Sequence, residues 1–338
     1  MTAHAQQPTP ELFFETVASY QRTEALKAAI ELDLFTGISE GNHTAAQIAS
    51  RCTASERGTR ILCDYLTMIG LLTKHGQTYG LTQDSGMFLD RRSPAYLGSA
   101  IDFLLADNLV DAFKHLTDAV RKGGTAIPDE GSLAPEHPMW IKFAEAMGGM
   151  MRPAAAGIAQ LIDPEANSKL KILDIAASHG LFGIAFATRN PHAEIVALDW
   201  ANVLELSKKN AQASGVADRH STIAGSAFDV DYGTGYDVVL LTNFLHHFDK
   251  PTNEKLLRKV HAALSEGGRA VTLEFVPNSD RISPPGIAGF SLTMLASTPS
   301  GDAYTFEEFD EMFKNAGFAK SESHEIPASI EQVIVSTK

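Results

Sequence analysis

A pair of histidines, His246 and His247, closes the stretch VVLLTNFLHHFD directly after an apolar run. Such a run reads as a buried strand, so the pair stands at its carboxyl end, where an α/β sheet keeps its ligands. An imidazole placed there can take up a proton near neutral pH. The following run, AVTLEFV, carries an acid, Glu274, among apolar residues. A carboxylate is seldom buried without a partner. One that accepts the Nδ1–H of a histidine would fix the tautomer and leave Nε2 free as a base.

A second chemical signal lies upstream in ILDIAASHGLFG, residues 172–183. An apolar run meets Asp174, then small residues lead through Gly180 into a helical pattern. A dinucleotide site needs G-x-G-x-x-G so that pyrophosphate can lie on the loop backbone. That pattern would place glycine at 176, 178 and 181, where the chain has Ala176, Ser178 and Leu181. A cofactor without phosphates asks only for small residues and close approach, and S-adenosylmethionine is such a molecule. Asp199 ends the next run, IVALDW, 25 residues after Asp174. Its carboxylate can accept hydrogen bonds from both ribose hydroxyls, although it would also serve to cap the next helix. The third run ends in GSAF, which offers Ser226, Ala227 and Phe228 to an adenine. Asp174, Ala176, Ser178, Gly180, Asp199, Trp200, Ser226, Ala227, Phe228 and Asn243 are the expected cofactor contacts.

These loops need a sheet to hold them, and the sequence after Asn167 alternates accordingly. KLKILDIA, AEIVALDW, HSTIAGSA, YDVVLLTNF, GGRAVTLEFV and QVIVSTK read as strands with helices between most of them. That is the pattern of a doubly wound, mostly parallel α/β sheet. SESHEIPA and EQVIVSTK are joined too closely for a crossover and should form an antiparallel hairpin. Residues 100–165 read as helices interrupted by the linker GGTAIPDEGSLAPEHP. In the second of these, Phe143, Met147, Met150 and Met151 recur at helical spacing, which suits core packing as well as a ligand wall.

The first hundred residues are written differently. Ala25, Leu26, Ala29, Ile30, Leu32 and Leu34 form a broad helical stripe, Thr44 is placed to cap the segment after it, and Ile61, Leu62, Tyr65, Leu66 and Ile69 mark a further helix. LLTKHGQTYGLT then reads as two short strands around Gly76. Three helices and a β-ribbon make a winged helix. Its eight Lys or Arg against ten Asp or Glu, and the balanced Glu56, Arg57, Arg60 and Asp64 on the helix that would face DNA, argue for dimerisation instead of DNA binding.

Composition bounds the partners. The formal charge of −13 disfavours nucleic acid and anionic lipid. Two cysteines, Cys52 and Cys63, make neither a disulfide framework nor a metal site. No secretory signal or membrane-length apolar run is apparent, so a cytoplasmic protein without a metal is expected.

From about Phe13 to Lys338 the chain resembles the class I S-adenosylmethionine-dependent O-methyltransferases with an N-terminal winged-helix dimerisation domain, the group of plant caffeate and hydroxyindole enzymes and bacterial tailoring enzymes. ALKAAIELDLF, the loop, LHHF, the Gly-Gly-Arg strand entry and GDAYTFEEFDEMFKNAGF carry the likeness. The resemblance implies a seven-stranded sheet, a homodimer, and domains at 1–100 (dimerisation), 101–166 (linker and acceptor-pocket helices) and 167–338 (cofactor binding). Family glycines fall on Ala176, Ser178 and Gly180, the ribose acid on Asp199, and the adenine Asp on Ser226. The catalytic His corresponds to His246, followed here by His247-Phe248 where Asp-Trp is usual, and its first supporting acid to Glu274. The second supporting acid falls on Ala303, with Asp302 adjacent, and Met294 matches an acceptor-lining position. Phe143, Met147, Met151, His247, Met294 and Asp302 are thus expected around a small-molecule acceptor.

The implied reaction is in-line attack of a hydroxyl on the sulfonium methyl. A phenol near pKa 10 facing an imidazole near 6.5 leaves about 3.5 units, roughly 5 kcal/mol, which coupling to bond formation can absorb. Phenolic or enolic acceptors are expected. C-methylation on the same scaffold, or a non-catalytic winged-helix sensor, are the other readings the residues allow.

Overall fold

Strands buried on both faces organise the larger part of the chain. In the computed structural model, which describes residues 8–127, 136, 139–327 and 329–338, the chain divides into Met1–Ile101 and Asp102–Lys338. The first unit contains a two-stranded ribbon, β1 (Leu72–His75) and β2 (Thr78–Leu81). The second contains β3 (Leu170–Ile175), β4 (Ala193–Asp199), β5 (His220–Ala224), β6 (Tyr236–Thr242), β7 (Leu264–Glu274), β8 (Lys320–Glu325) and β9 (Gln332–Thr337).

These seven strands form one sheet in the order β5-β4-β3-β6-β7-β9-β8. β3 to β7 run parallel, whereas β9 is antiparallel to both β7 and β8, as the short connection before it requires. Central β3 and β6 are buried nearly throughout, while edge strands β5 and β8 are largely solvated. Helices Leu181–Arg189, Ala201–Ala213 and Lys250–Ala263 make the crossovers. From β3 the chain winds one way through β4 and β5, and from β6 the other way through β7. The carboxyl ends of β3 and β6 therefore flank the switch point, where such sheets bind ligands.

Helix Met139–Ile162 presents Ala144, Met147, Met151, Ala154, Ala155, Ile158, Ala159 and Ile162 as one buried stripe. Gly157 lets it close on the strap before β9, because a Cβ there would stand 2.3 Å from Ile326 Cγ2. The run 101–122, read from its spacing as continuous helix, is broken into Ile101–Leu104, Asp107–Lys114 and Leu116–Lys122. Of the linker that follows, residues 128–135 and 137–138 lie outside the described residues.

In the first unit, helices Tyr20–Glu31, Leu34–Ser39, Ala45–Arg51 and Glu56–Met68 precede the ribbon, whose turn holds Gly76 at φ 60. Thr44 and Gln47 form a reciprocal capping box. The apolar stripe through Leu34 does not belong to one helix. Asp33 interrupts it at φ 53, its carboxylate paired to Arg51 at 3.0 Å and to Arg91 at 3.1 Å. Ala29, Leu34, Phe35, Ile48 and Leu66 form the core of this unit.

Candidate active site

The loop after β3 adopts the backbone of a glycine loop without its glycines. Ala176 (φ 55), Ser178 (φ 53) and Gly180 (φ 72) are all left-handed. For residues with a Cβ that region costs about 1–2 kcal/mol each. Neighbouring donors and acceptors hold the loop there. Ala177 N–H donates to the Leu198 carbonyl at 3.1 Å and Gly180 N–H to the Ala177 carbonyl at 2.7 Å. Gly180 is required by space as well, since a Cβ would lie 2.1 Å from Ser207 Oγ.

Two carboxylates frame this loop. Asp174, fully buried, accepts the Gly183 N–H at 3.0 Å on Oδ2, while its Oδ1 has no partner. Burial pushes its carboxyl up to about 7. Asp199 accepts the Ser178 N–H at 2.8 Å and the Trp200 N–H at 2.7 Å, tying the ends of β3 and β4 together. It gives the helix that begins at Ala201 no further cap, and burial raises it to about 6. Beyond β5, Gly225 N–H donates to the Asp199 carbonyl at 2.9 Å. Ser226 Oγ is turned to the Phe228 N–H at 3.2 Å, and the Ala227 and Phe228 carbonyls accept Lys259 Nζ at 3.1 and 3.0 Å. These residues fit S-adenosylmethionine. Between Ile175 and His179 the loop carries only Ala176, Ala177 and Ser178, and each Asp199 oxygen retains acceptor capacity.

At the end of β6 the chain turns through Asn243 (φ 54) into a short helical turn, Leu245–His247. Glu274, the last residue of β7 and fully buried, organises that turn. Its Oε1 accepts the N–H groups of Phe244 at 3.0 Å, Leu245 at 2.8 Å and His246 at 3.3 Å. Its Oε2 takes His246 Nδ1 at 2.5 Å, which assigns the proton to Nδ1 and leaves Nε2 as the basic nitrogen. The His246 carbonyl is clamped from the other side by the Asp302 N–H at 3.0 Å. Gly301 allows that approach, since a Cβ there would meet the same carbonyl at 2.3 Å. Burial, then His246, holds the His247 ring well below the usual imidazole range, so it is neutral.

Aromatic rings continue outward from the pair. His247 meets Trp140 edge-on at 5.5 Å, Trp140 meets Phe143 at 6.2 Å, and Phe143 meets Phe103 at 4.9 Å. On the other side His246 meets Phe290 at 4.9 Å, which stacks on Phe275 at 4.1 Å. Met151 Sδ accepts Asn243 Nδ2 at 3.9 Å, bringing the long helix to the β6 end. Met147 is buried on that helix, and Met294 is buried one turn after Phe290. Asp302 is not brought to the imidazole: its side chain pairs with Arg281 at 3.1 Å, and only its backbone touches His246. Trp140, Phe275, Phe290 and Glu331 were not singled out from the sequence. Trp140 is three residues from Phe143 and Phe275 directly follows Glu274, a proximity that offered a signal. Glu331, next to a strand and charged, reads as a solvated residue.

The sequence matches the model of the O-methyltransferase domain over residues 134–319 and that of the O-methyltransferase dimerisation domain over 14–91. It is 27% identical to the 3-hydroxy-5-methyl-1-naphthoate 3-O-methyltransferase of Streptomyces sahachiroi, covering 91% of this chain and 89% of that one. Among solved structures, a protein from Nostoc punctiforme assigned as an O-methyltransferase is 57% identical with a TM-score of 0.96, covering 98% and 100% of the two chains. PigF, an S-adenosyl-L-methionine-dependent methyltransferase of a Serratia strain, was solved with SAH, and is 25% identical with a TM-score of 0.84 over 98% and 100%.

Proposed function

The chain belongs to the O-methyltransferase family, and from that premise we propose that it methylates a phenolic or enolic hydroxyl of a planar aromatic small molecule, with His246 as the base. It is an S-adenosylmethionine-dependent enzyme. The contact that carries the proposal is His246 Nδ1 to Glu274 Oε2 at 2.5 Å, one strand away from the cofactor loop.

Asp199 would hold the ribose, and Ala176, Ser178 and Gly180 would let the nucleoside approach the strand ends. The cofactor supplies an electrophilic methyl group on a cationic sulfur. His246 Nε2 accepts the acceptor's hydroxyl proton, and Glu274 stabilises the imidazolium that results. Trp140, Phe143, His247 and Phe290 supply ring edges against which a flat acceptor can pack. The roughly 5 kcal/mol between phenol and imidazole is manageable, whereas an aliphatic alcohol lies several units higher. The naphthoate named for the Streptomyces relative is an acceptor of this kind.

The protein is proposed to act as a homodimer through its first unit. The dimerisation-domain match and the exposed Leu12, Phe13, Phe14, Val17 and Tyr20 support this. Among the described residues no helix is long and apolar enough to cross a membrane, and a cytoplasmic location accords with the biosynthetic relative. The deciding experiment supplies S-adenosylmethionine with a panel of hydroxynaphthoic acids and matched aliphatic alcohols. O-methylation confined to the aromatic set is expected. Methyl on carbon, or transfer to the aliphatic set at equal rate, would overturn the proposal.

A further inference from the structure

Helix Lys250–Ala263, the crossover from β6 to β7, reaches two parts of the site and has no role in the mechanism above. Near its start Asn253, fully buried, turns its amide back under the His246 turn. Its Nδ2 donates to the Leu245 carbonyl at 2.9 Å and to the Phe248 carbonyl at 3.3 Å. An amide oxygen cannot pair with two carbonyls, so these contacts fix which end is the nitrogen. The Tyr304 hydroxyl donates to the same Phe248 carbonyl at 2.6 Å. Glu274 thus holds the N–H groups of the turn, while Asn253 holds carbonyls on either side of His246.

Six residues later, about 9 Å along the helix axis, Lys259 reaches the loop after β5. Its Nζ donates to the Ala227 and Phe228 carbonyls at 3.1 and 3.0 Å and lies 4.3 Å from the centre of the buried Tyr232 ring. The Tyr232 hydroxyl donates to the same Ala227 carbonyl. β5 and β6 stand three positions apart in the sheet, roughly 14 Å, so no strand pairing joins the loop to the turn. They meet through rings instead: Phe228 lies 5.0 Å from Phe248 and 6.5 Å from Phe244.

We propose that this helix is the spacer that sets the cofactor loop against the base, with Lys259 a positioning residue for the adenine end of S-adenosylmethionine and Asn253 a positioning residue for His246. Methyl transfer needs its reacting atoms within about 3–3.5 Å and in line, and a loop and a turn from distant strands meet that demand only if something fixes their separation. Lys259 and Asn253 grip backbone carbonyls alone, one group at each end of a rigid rod. The proposal rests on residues 226–228 as adenine contacts and on His246 as the base.

The test pairs kinetics with hydrogen exchange. Lys259→Met keeps the aliphatic stem and loses the donors. Its KM for S-adenosylmethionine and its Kd for S-adenosylhomocysteine should rise about tenfold, with kcat at saturating cofactor within about threefold. Lys259→Arg, which keeps cationic donors, should bind more tightly than Lys259→Met. Asn253→Ser should do the opposite, with kcat down about tenfold and cofactor KM within about threefold. Because Asn253 is buried, Asn253→Asp, of the same size but without the donor, should show the same split. In the cofactor-free protein, Lys259→Met should speed exchange within 225–232 and Asn253→Ser within 243–248, each leaving the other segment as in the wild type. Unchanged exchange in both segments, or the same pattern of kcat and KM from both substitutions, would overturn the proposal. Faster exchange in 225–232 with unchanged affinity would fault the adenine assignment and with it the role of Lys259. Faster exchange in 243–248 with unchanged kcat would do the same for His246 and Asn253.

Discussion

Glu274 and Asp199 both close a parallel strand on the same edge of the sheet, yet they meet very different sets of donors. Glu274 is wholly buried and takes three backbone N–H groups and the His246 ring, which uses the acceptor sites of a carboxylate almost completely. Asp199 takes two N–H groups and keeps part of its surface open, and Asp174 behind it takes one. A saturated carboxylate can only hold what it already touches, so the β7 end suits fixing the imidazole proposed as the base. An unsaturated one can take new donors, so the β3–β4 end suits the ligand-binding role proposed for it. Asp174 and Asp199, raised by burial to about 7 and 6, bear the electrostatic cost of that openness.

The contrast is tested most severely at the base. His246→Ala should lower kcat by about 10²–10⁴-fold, the range of a lost general base, while affinity for S-adenosylhomocysteine stays within about threefold. Turnover near the wild-type rate would remove His246 from the chemistry and make Glu274 a purely structural acid. Asp199→Ala should do the reverse. Cofactor affinity by calorimetry should fall by one to two orders of magnitude, about 1.5–3 kcal/mol for charged hydrogen bonds. Unchanged affinity would show that the open carboxylate receives nothing.

Titration sharpens the same point. If the ionised form of Asp199 accepts the ribose hydroxyls, affinity should weaken as pH falls through about 6, by about fivefold between pH 6 and 5. Asp199→Ala should be insensitive over that interval, and a wild type equally insensitive would refute the assignment. Asp174 carries the matching prediction for stability. Its folded pKa, about 7, lies above the unfolded value near 3.9, so the folded state binds the extra proton. Its contribution is therefore intact below about pH 4 and is lost as pH rises toward 7. Asp174→Asn should raise stability by about 1–2 kcal/mol at pH 8 and by little at pH 4, read from melting temperatures at the two pH values. An equal gain at both would mean that ionisation of Asp174 is not the cost.

The base end was legible in the sequence because its signals are exceptions to rules: an acid inside an apolar strand and histidines at a strand end. The sheet was legible because strand and helix alternate with different periods. Asp33 escaped notice because a single left-handed residue leaves the apolar period intact while breaking the helix. The helical stretch 101–122 hid its two breaks because neither the extended Ala106 nor the half-turned His115 disturbs the apolar spacing. Asp302 and Glu331 show the limit most plainly. Asp302 adjoins the expected position of a supporting acid but spends its charge on Arg281. Glu331 looks like a surface residue and is buried, next to a strand pairing that no local pattern records.

The smallest effect concerns the loop itself. Ala176 and Ser178 have the left-handed φ that glycine adopts freely, and each carries the steric cost of a Cβ there. Glycine would remove about 1–2 kcal/mol of strain and add back about 0.5–1 kcal/mol of unfolded-chain entropy. Ala176→Gly and Ser178→Gly should each stabilise the protein by about 0.5–1 kcal/mol, a rise of about 1–4 °C in Tm. Because the two positions share one loop, the double variant should gain less than the sum. The Ser178 bond to Asp199 comes from the backbone and survives in glycine, so cofactor affinity should hold within a few-fold. A fall in Tm for both variants would mean that the methyl of Ala176 and the buried hydroxyl of Ser178 contribute more to packing than the backbone loses to strain.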